Sequence, residues 1–333
     1  MRLRIGFLGF AHGHQYGLIW QVKPEYAEVA ALADEDPERL RKALEKLGED
    51  VKGVKVYEDY EDLLTDDEID LVSICVENDR KPDLILKAAE NGKHIVVEKP
   101  ICLTLKDLEE VARVVRESEV QLSMYMSERF NPLYVALRNL IESGGIGDPV
   151  LFYAFRPHKL MPERRPDWMF QRERYGNIIL DLAIHDIDYL LWVNGAEVEE
   201  VKAYMGNQRF TDRDFTDNCV VMMRFSNGAK AIVAATWLTP EAAPYHGRVR
   251  LDAVGTLGEA YLMREKNIVE VCTVREPPHR LETVETEMFL QNVVRNISVG
   301  RKPLVDLESS VTANRICLLA TESAERDETI RLK

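Results

Sequence analysis

Short apolar runs alternate with amphipathic stretches from residue 1 to about 125, at the spacing of βαβ units. Arg4-Ile5-Gly6-Phe7-Leu8 predicts a first strand, followed by a glycine-containing turn and a helix to about Lys23. Val29-Ala30-Ala31-Leu32-Ala33 predicts a second strand ending in Asp34-Glu35-Asp36. Pro37 then suits the first turn of a helix, which carries Leu40, Ala43, Leu44 and Leu47 at helical spacing. Val54-Lys55-Val56, Leu71 to Cys75, His94 to Val97 and Val120 to Tyr125 complete the strands. Helices fall between them, over Pro82–Asn91 with Gly92 as C-cap and over Leu105–Ser118 with Thr104 as N-cap. The pattern predicts a doubly wound parallel sheet.

After about Met126 the rhythm changes. Asn131 to Ser143 reads as a helix, and Cys219–Phe225, Ser226-Asn227-Gly228 and Ala229–Trp237 read as a hairpin. With Val249–Val254, Ala260–Met263 and Ile268–Val274 they predict a largely antiparallel sheet. The expected fold class is α/β: a dinucleotide-binding domain over 1–125 and an α+β domain over 126–333.

The remaining composition narrows the class. A formal net charge of −14 disfavours nucleic acid and anionic membrane as partners. No apolar run approaches the roughly 20 residues that span a bilayer. The N-terminus has no signal-peptide core, so a cytoplasmic location is expected. Five scattered cysteines without C-x-x-C spacing argue against a disulfide framework or structural zinc site, and no metal is expected.

Chemistry is concentrated at three places. Gly9-Phe10-Ala11-His12-Gly13-His14 is an imperfect glycine fingerprint. Gly9 can make the tight turn and Gly13 can open a helix toward a pyrophosphate, while Ala11 and His14 replace small residues. Asp34 can accept hydrogen bonds from the adenosine ribose and would repel a 2′-phosphate, which favours NAD over NADP. Glu98-Lys99-Pro100 closes a strand, placing a lysine where open α/β sheets bind ligands. Asp181, His185 and Asp188 follow at i, i+4 and i+7, on one helix face, where a histidine flanked by aspartates can serve as a general acid/base.

These motifs make the chain resemble the Gfo/Idh/MocA oxidoreductases. The resemblance also draws on Arg129-Phe130-Asn131-Pro132, Gly144-Gly145-Ile146-Gly147 and Ala324-Glu325-Arg326-Asp327. It implies a Rossmann domain joined to a domain with an open antiparallel sheet, through which dimers or tetramers commonly form. It implies that Lys99 contacts the reacting hydroxyl and the nicotinamide ribose, that Asp181 orients substrate and that His185 accepts the proton. A cis bond before Pro100 fits this pattern. Gly9, Ala11, His12, Gly13, His14, Asp34, Asn78, Glu98 and Lys99 are the expected NAD contacts.

The chain departs from the family in Val76-Glu77-Asn78-Asp79-Arg80-Lys81, where Glu77 stands for a proline and Lys81 for a histidine. Phe155–Tyr175 is rich in arginine and carries Arg156 and Trp168. It reads either as recognition of a carboxylated or phosphorylated polyol or as a basic surface facing an acidic subunit. Arg129, Arg156 and Trp168 are the expected substrate contacts. The expected activity is hydride transfer between nicotinamide and a secondary hydroxyl of a sugar, sugar acid or cyclitol. The alternatives are an eliminating glycosidase with transient oxidation and a non-catalytic NAD-binding regulator.

Overall fold

The computed structural model describes residues 2–332, which form two compact units. The first comprises residues up to Tyr125 together with Glu287–Thr312. Its sheet strands are β1 (Leu3–Leu8), β2 (Ala27–Ala33), β3 (Lys55–Tyr57), β4 (Leu71–Ile74), β5 (His94–Val97) and β6 (Leu122–Met124). Helices α1 (His14–Ile19), α2 (Pro37–Leu47), α3 (Tyr60–Leu64), α4 (Lys81–Glu90) and α5 (Leu105–Glu117) alternate with them. The spatial order β3-β2-β1-β4-β5-β6, all parallel, places the topological switch point between β1 and β4.

Local chemistry explains the helix starts. Asp36 accepts the backbone N–H groups of Glu38 and Arg39 ahead of Pro37, and Thr104 accepts that of Asp107. The first helix is shorter than its sequence pattern predicts, ending at Ile19 rather than near Lys23.

A linear reading assigns everything after residue 126 to the second domain, yet α9 (Phe289–Ser298) and the start of α10 (Leu307–Arg326) belong to the first unit. Gln21 accepts the Leu290 N–H, Ser310 Oγ accepts that of Met124, and the Phe289 ring meets Tyr125 edge-on at 5.0 Å. These contacts join residues far apart in the chain and leave no local signature.

The second unit comprises Met126–Thr286 and the described residues from Ala313 onward. It opens with α6 (Pro132–Glu142) and β7 (Pro149–Pro157), then α7 (Arg172–Tyr175) and α8 (Ile184–Asn194). Strands β8 (Val198–Gly206), β9 (Asn218–Phe225), β10 (Lys230–Thr236), β11 (Arg250–Gly255), β12 (Gly258–Met263), β13 (Ile268–Thr273), β14 (His279–Arg280) and β15 (Ile330–Arg331) follow. The nine-stranded sheet runs β14-β13-β12-β11-β7-β10-β9-β8-β15.

All its pairings are antiparallel except β7 with β10. A parallel pair needs a long crossover, and the connection between these two strands contains α8. Alternation along the strands buries Phe152, Ala154, Val221, Met223, Phe225, Ala231 and Val233 on one face. Helix α8 packs against β7 and β10 on that face. The opposite face exposes Leu151, Tyr204, Val220 and Met222. No helix among the described residues is long and apolar enough to cross a membrane.

Candidate active site

The turn after β1 is built by backbone geometry. Gly9 has φ +77°, and a Cβ there would lie 2.5 Å from Val76 Cγ1 and 2.8 Å from the Cys75 carbonyl, so only glycine fits. The Gly9 N–H donates to Ala33 O and the Ala11 N–H to Cys75 O, tying the turn to β2 and to the end of β4. A Cβ on Gly13 would meet nothing within 4 Å, so steric crowding does not require glycine there as it does at Gly9. Gln15, which sequence reasoning passed over, locks the switch point from inside. Its amide donates to Leu8 O and Ser73 O and accepts from Ser73 Oγ, bridging β1 and β4.

Asp34, the expected ribose acceptor, is fully buried. Oδ2 accepts the Phe10 N–H at 2.8 Å, and Oδ1 accepts from Asp36 N and Arg39 Nε. Burying a carboxylate demands such partners, so Asp34 shapes the glycine turn. Arg39 also donates to Glu77 at 2.6 Å, and its guanidinium links the ends of β2 and β4.

At the end of β5 the chain turns through Glu98, Lys99 and Pro100, with a cis Lys99–Pro100 bond. Lys81 lies beneath this turn with none of its surface exposed. Its ammonium donates to Glu98 O at 2.7 Å, Asn78 Oδ1 at 2.8 Å, Lys99 O at 3.1 Å and Pro100 O at 3.2 Å. Three N–H donors thus serve four oxygens, and the backbone on both sides of Lys99 is held by one charge. The departure from the family at position 81 is therefore a clamp. Asn78, expected at the cofactor, is one of its acceptors. Glu98 is buried, which pushes its carboxyl up, but His14, His12 and Lys99 outweigh burial and hold it at about 2.

In the second unit, Asp181 and His185 do not lie on one continuous α-helix. Ile179–Ala183 forms a π-helical turn that leads into α8, so Asp181 sits on the wider turn and His185 on the helix proper. Asn177 starts the turn, its Oδ1 accepting the Ile179 and Leu180 N–H groups. The Tyr175 hydroxyl donates to Asp181 Oδ2. Burial, reinforced by the Asp181 charge, keeps Tyr175 protonated far above its ordinary range. Tyr175 therefore fixes one Asp181 oxygen, a role no sequence motif announced.

The expected histidine flank of Asp188 is also corrected. Asp188 pairs bidentately with Arg129, at 2.6 and 2.9 Å. Arg129, expected at substrate, is buried in that pair. Arg156 is corrected in the same way. It is 2% exposed and donates to Asp186 at 2.7 and 3.0 Å, to Glu128 at 2.8 Å and to the Tyr134 hydroxyl. A buried guanidinium whose nitrogens already face carboxylates has none to offer a sugar. Trp168 is buried beside Tyr175, at 6.3 Å between ring centres.

Removing Arg156 would leave Asp186 and Glu128 as uncompensated buried charges. Arg156→Met is expected to destabilise the chain by about 3–5 kcal/mol. Urea unfolding checks this, and a loss below about 1 kcal/mol would return Arg156 to the substrate list.

A glycine turn at the switch point of a parallel sheet, followed by a lysine at the end of β5, is the arrangement expected of a dinucleotide-binding oxidoreductase. The family model described as an oxidoreductase family with an NAD-binding Rossmann fold matches residues 3–126. The model of the GFO/IDH/MocA C-terminal domain matches residues 134–261. The chain belongs to the Gfo/Idh/MocA family.

This Gfo/Idh/MocA chain is 26% identical to the myo-inositol 2-dehydrogenase of Thermotoga maritima, over 99% of this chain and 97% of the relative. It is 26% identical to the NAD+-dependent scyllo-inositol 2-dehydrogenase of Bacillus subtilis, over 99% and 95%. A solved oxidoreductase from Thermotoga maritima superposes with a TM-score of 0.91 at 24% identity, covering 99% of this chain and 100% of that one. The first unit is thus an NAD-binding Rossmann domain, with its glycine turn at the switch point of the sheet.

Proposed function

We propose that this Gfo/Idh/MocA member is an NAD(H)-dependent dehydrogenase acting on a secondary hydroxyl of a cyclitol, sugar or sugar acid. The observation that carries the reading is Lys99 at the carboxyl end of β5, on a turn held by the Lys81 ammonium. Relatives named as inositol 2-dehydrogenases over nearly the whole chain support the substrate class. Gly9, Ala11, Gly13 and Asn78 line or shape the cofactor turn, with His12, His14 and Glu98 beside it. Nicotinamide, when bound, takes or returns the hydride. Lys99 holds the reacting hydroxyl, and His185 takes its proton as oxidation proceeds. Asp181, with one oxygen fixed by Tyr175, orients the substrate.

A panel of cyclitols, sugars and sugar acids with NAD and NADP, followed by absorbance of the reduced nicotinamide, tests the reading. NAD reduction by at least one cyclitol or sugar is expected, with NADP slower. Product formed without net NADH, or binding of NAD with no substrate oxidised, would overturn it.

The exposed sheet face suits a second copy of this chain. Leu151, Val220 and Met222 are each more than a third exposed on this one face, and apolar side chains grouped in this way suit an interaction surface. A homodimer or homotetramer through this face is the expected assembly. Val220→Glu combined with Met222→Glu is expected to give monomers by light scattering at unchanged fold. An assembly of unaltered mass would remove the face from consideration.

A further inference from the structure

The structure gathers one group of potential metal ligands among the described residues: His12, His14 and Glu98. Their donor atoms all lie within 4.8 Å of one another. We propose that these residues bind a divalent first-row transition cation of the zinc type, with at least one coordination position open at the glycine turn. The proposal does not depend on the dehydrogenase reading, and either can fail without the other.

The donor set carries the chemistry. Two imidazoles and one carboxylate suit zinc and its neighbours, whereas magnesium and calcium favour sets made of oxygen. Tetrahedral bonds of about 2.0–2.1 Å place neighbouring ligand atoms roughly 3.3 Å apart. His14 Nδ1 is hydrogen-bonded to the two Glu98 oxygens at 3.1 and 3.0 Å, so a bound cation would take the place of the proton between them at a similar spacing. The His12 ring packs edge-on against His14 at 4.1 Å between centres, and its donor atom lies within 4.8 Å of the other two. In the metal-free chain His12 Nδ1 accepts the His14 N–H, a contact that a cation bound at this nitrogen would replace.

The surroundings favour binding. Glu98 is buried directly after β5, where its N–H donates to Ile74 O at 2.9 Å and so ties this ligand to the end of β4. Tyr125 closes one side, its ring edge-on to His14 at 5.1 Å and backed by Phe289. Gly13 lies between the two histidines in the chain, and a Cβ added there would meet nothing within 4 Å. Two neutral imidazoles and one carboxylate leave a bound divalent ion with net positive charge. The open position would therefore take water or an anionic oxygen, such as a phosphate oxygen of a dinucleotide held at this turn. Three protein ligands with an open fourth place is the pattern of catalytic rather than structural zinc sites.

Untagged full-length protein, stripped with a chelator and dialysed, is titrated with zinc chloride by calorimetry and with cobalt(II) by visible absorption. One ion per chain is expected, with the intense visible bands of a low-symmetry cobalt site. His12→Ala, His14→Ala and Glu98→Gln should each weaken binding by about 100-fold or more. His12→Asn is a milder second variant for the same loss, and circular dichroism with a thermal melt checks that each variant is folded. Wild-type zinc binding weaker than about 1 mM overturns the proposal. Equal binding in wild type and folded variants overturns it too, because the ion would then sit elsewhere.

Discussion

Lys99→Ala is expected to lower kcat by about 10²–10⁴-fold while NAD binding, followed by fluorescence titration, changes only a few-fold. In the proposed reaction the side chain holds the hydroxyl whose proton must leave as hydride moves, which makes the expected effect large. The turn itself is fixed by backbone contacts that alanine retains, since Lys81 bonds the position-99 carbonyl and not its side chain. His185→Ala is expected to cause a loss of the same order and to remove one limb of the pH–rate profile, which Lys99→Ala alone should not do. The double variant should be little worse than the more damaging single one, as for groups acting in one step. Rates within about twofold of wild type in both single variants would remove both residues from the chemistry.

Lys81→Met should damage stability and turnover together. The substitution keeps the length of the stem but removes the only ammonium described at these four oxygens. Three backbone carbonyls and the Asn78 amide oxygen would then face an apolar side chain. A destabilisation of about 2–4 kcal/mol in urea is expected from the desolvated acceptors. In the folded protein kcat is expected to fall at least about tenfold, because misplacing a catalytic group by an ångström is costly. Lys81→His, which restores the residue usual in the family, should recover much of the turnover. A purely structural role for Lys81 would lower stability while leaving kcat of the folded enzyme unchanged.

The same residues show why part of the site was legible in the sequence and part was not. Gly9, Lys99 and the Thr104 cap are local features: a positive φ in a tight turn, a strand end before proline and a side chain reaching its own helix. Such features depend on a few neighbouring residues, so a pattern reader finds them. Arg156 misled for the opposite reason. Its arginine-rich neighbourhood suggests an anion site, but its partners Asp186 and Glu128 lie 30 and 28 residues away. Asp188 matches the helical spacing of a histidine partner, yet Arg129, 59 residues away, takes both its oxygens. Asp34 stands where a ribose acceptor is expected and is fully occupied by the turn it supports.

Sequence alone determined the alternation that makes a parallel sheet, the switch to a mostly antiparallel second unit, and the order of the family motifs along the chain. These follow from side-chain periodicity and strand-end chemistry, which act over a handful of residues. Tertiary structure decided which charges are paired, which helices return to the first unit, and that Asp181 stands on a π-helical turn while Lys81 holds the turn of Lys99. Those outcomes depend on which distant groups are desolvated together. Burying a charge is tolerated only where a partner meets it, and folding alone selects that partner.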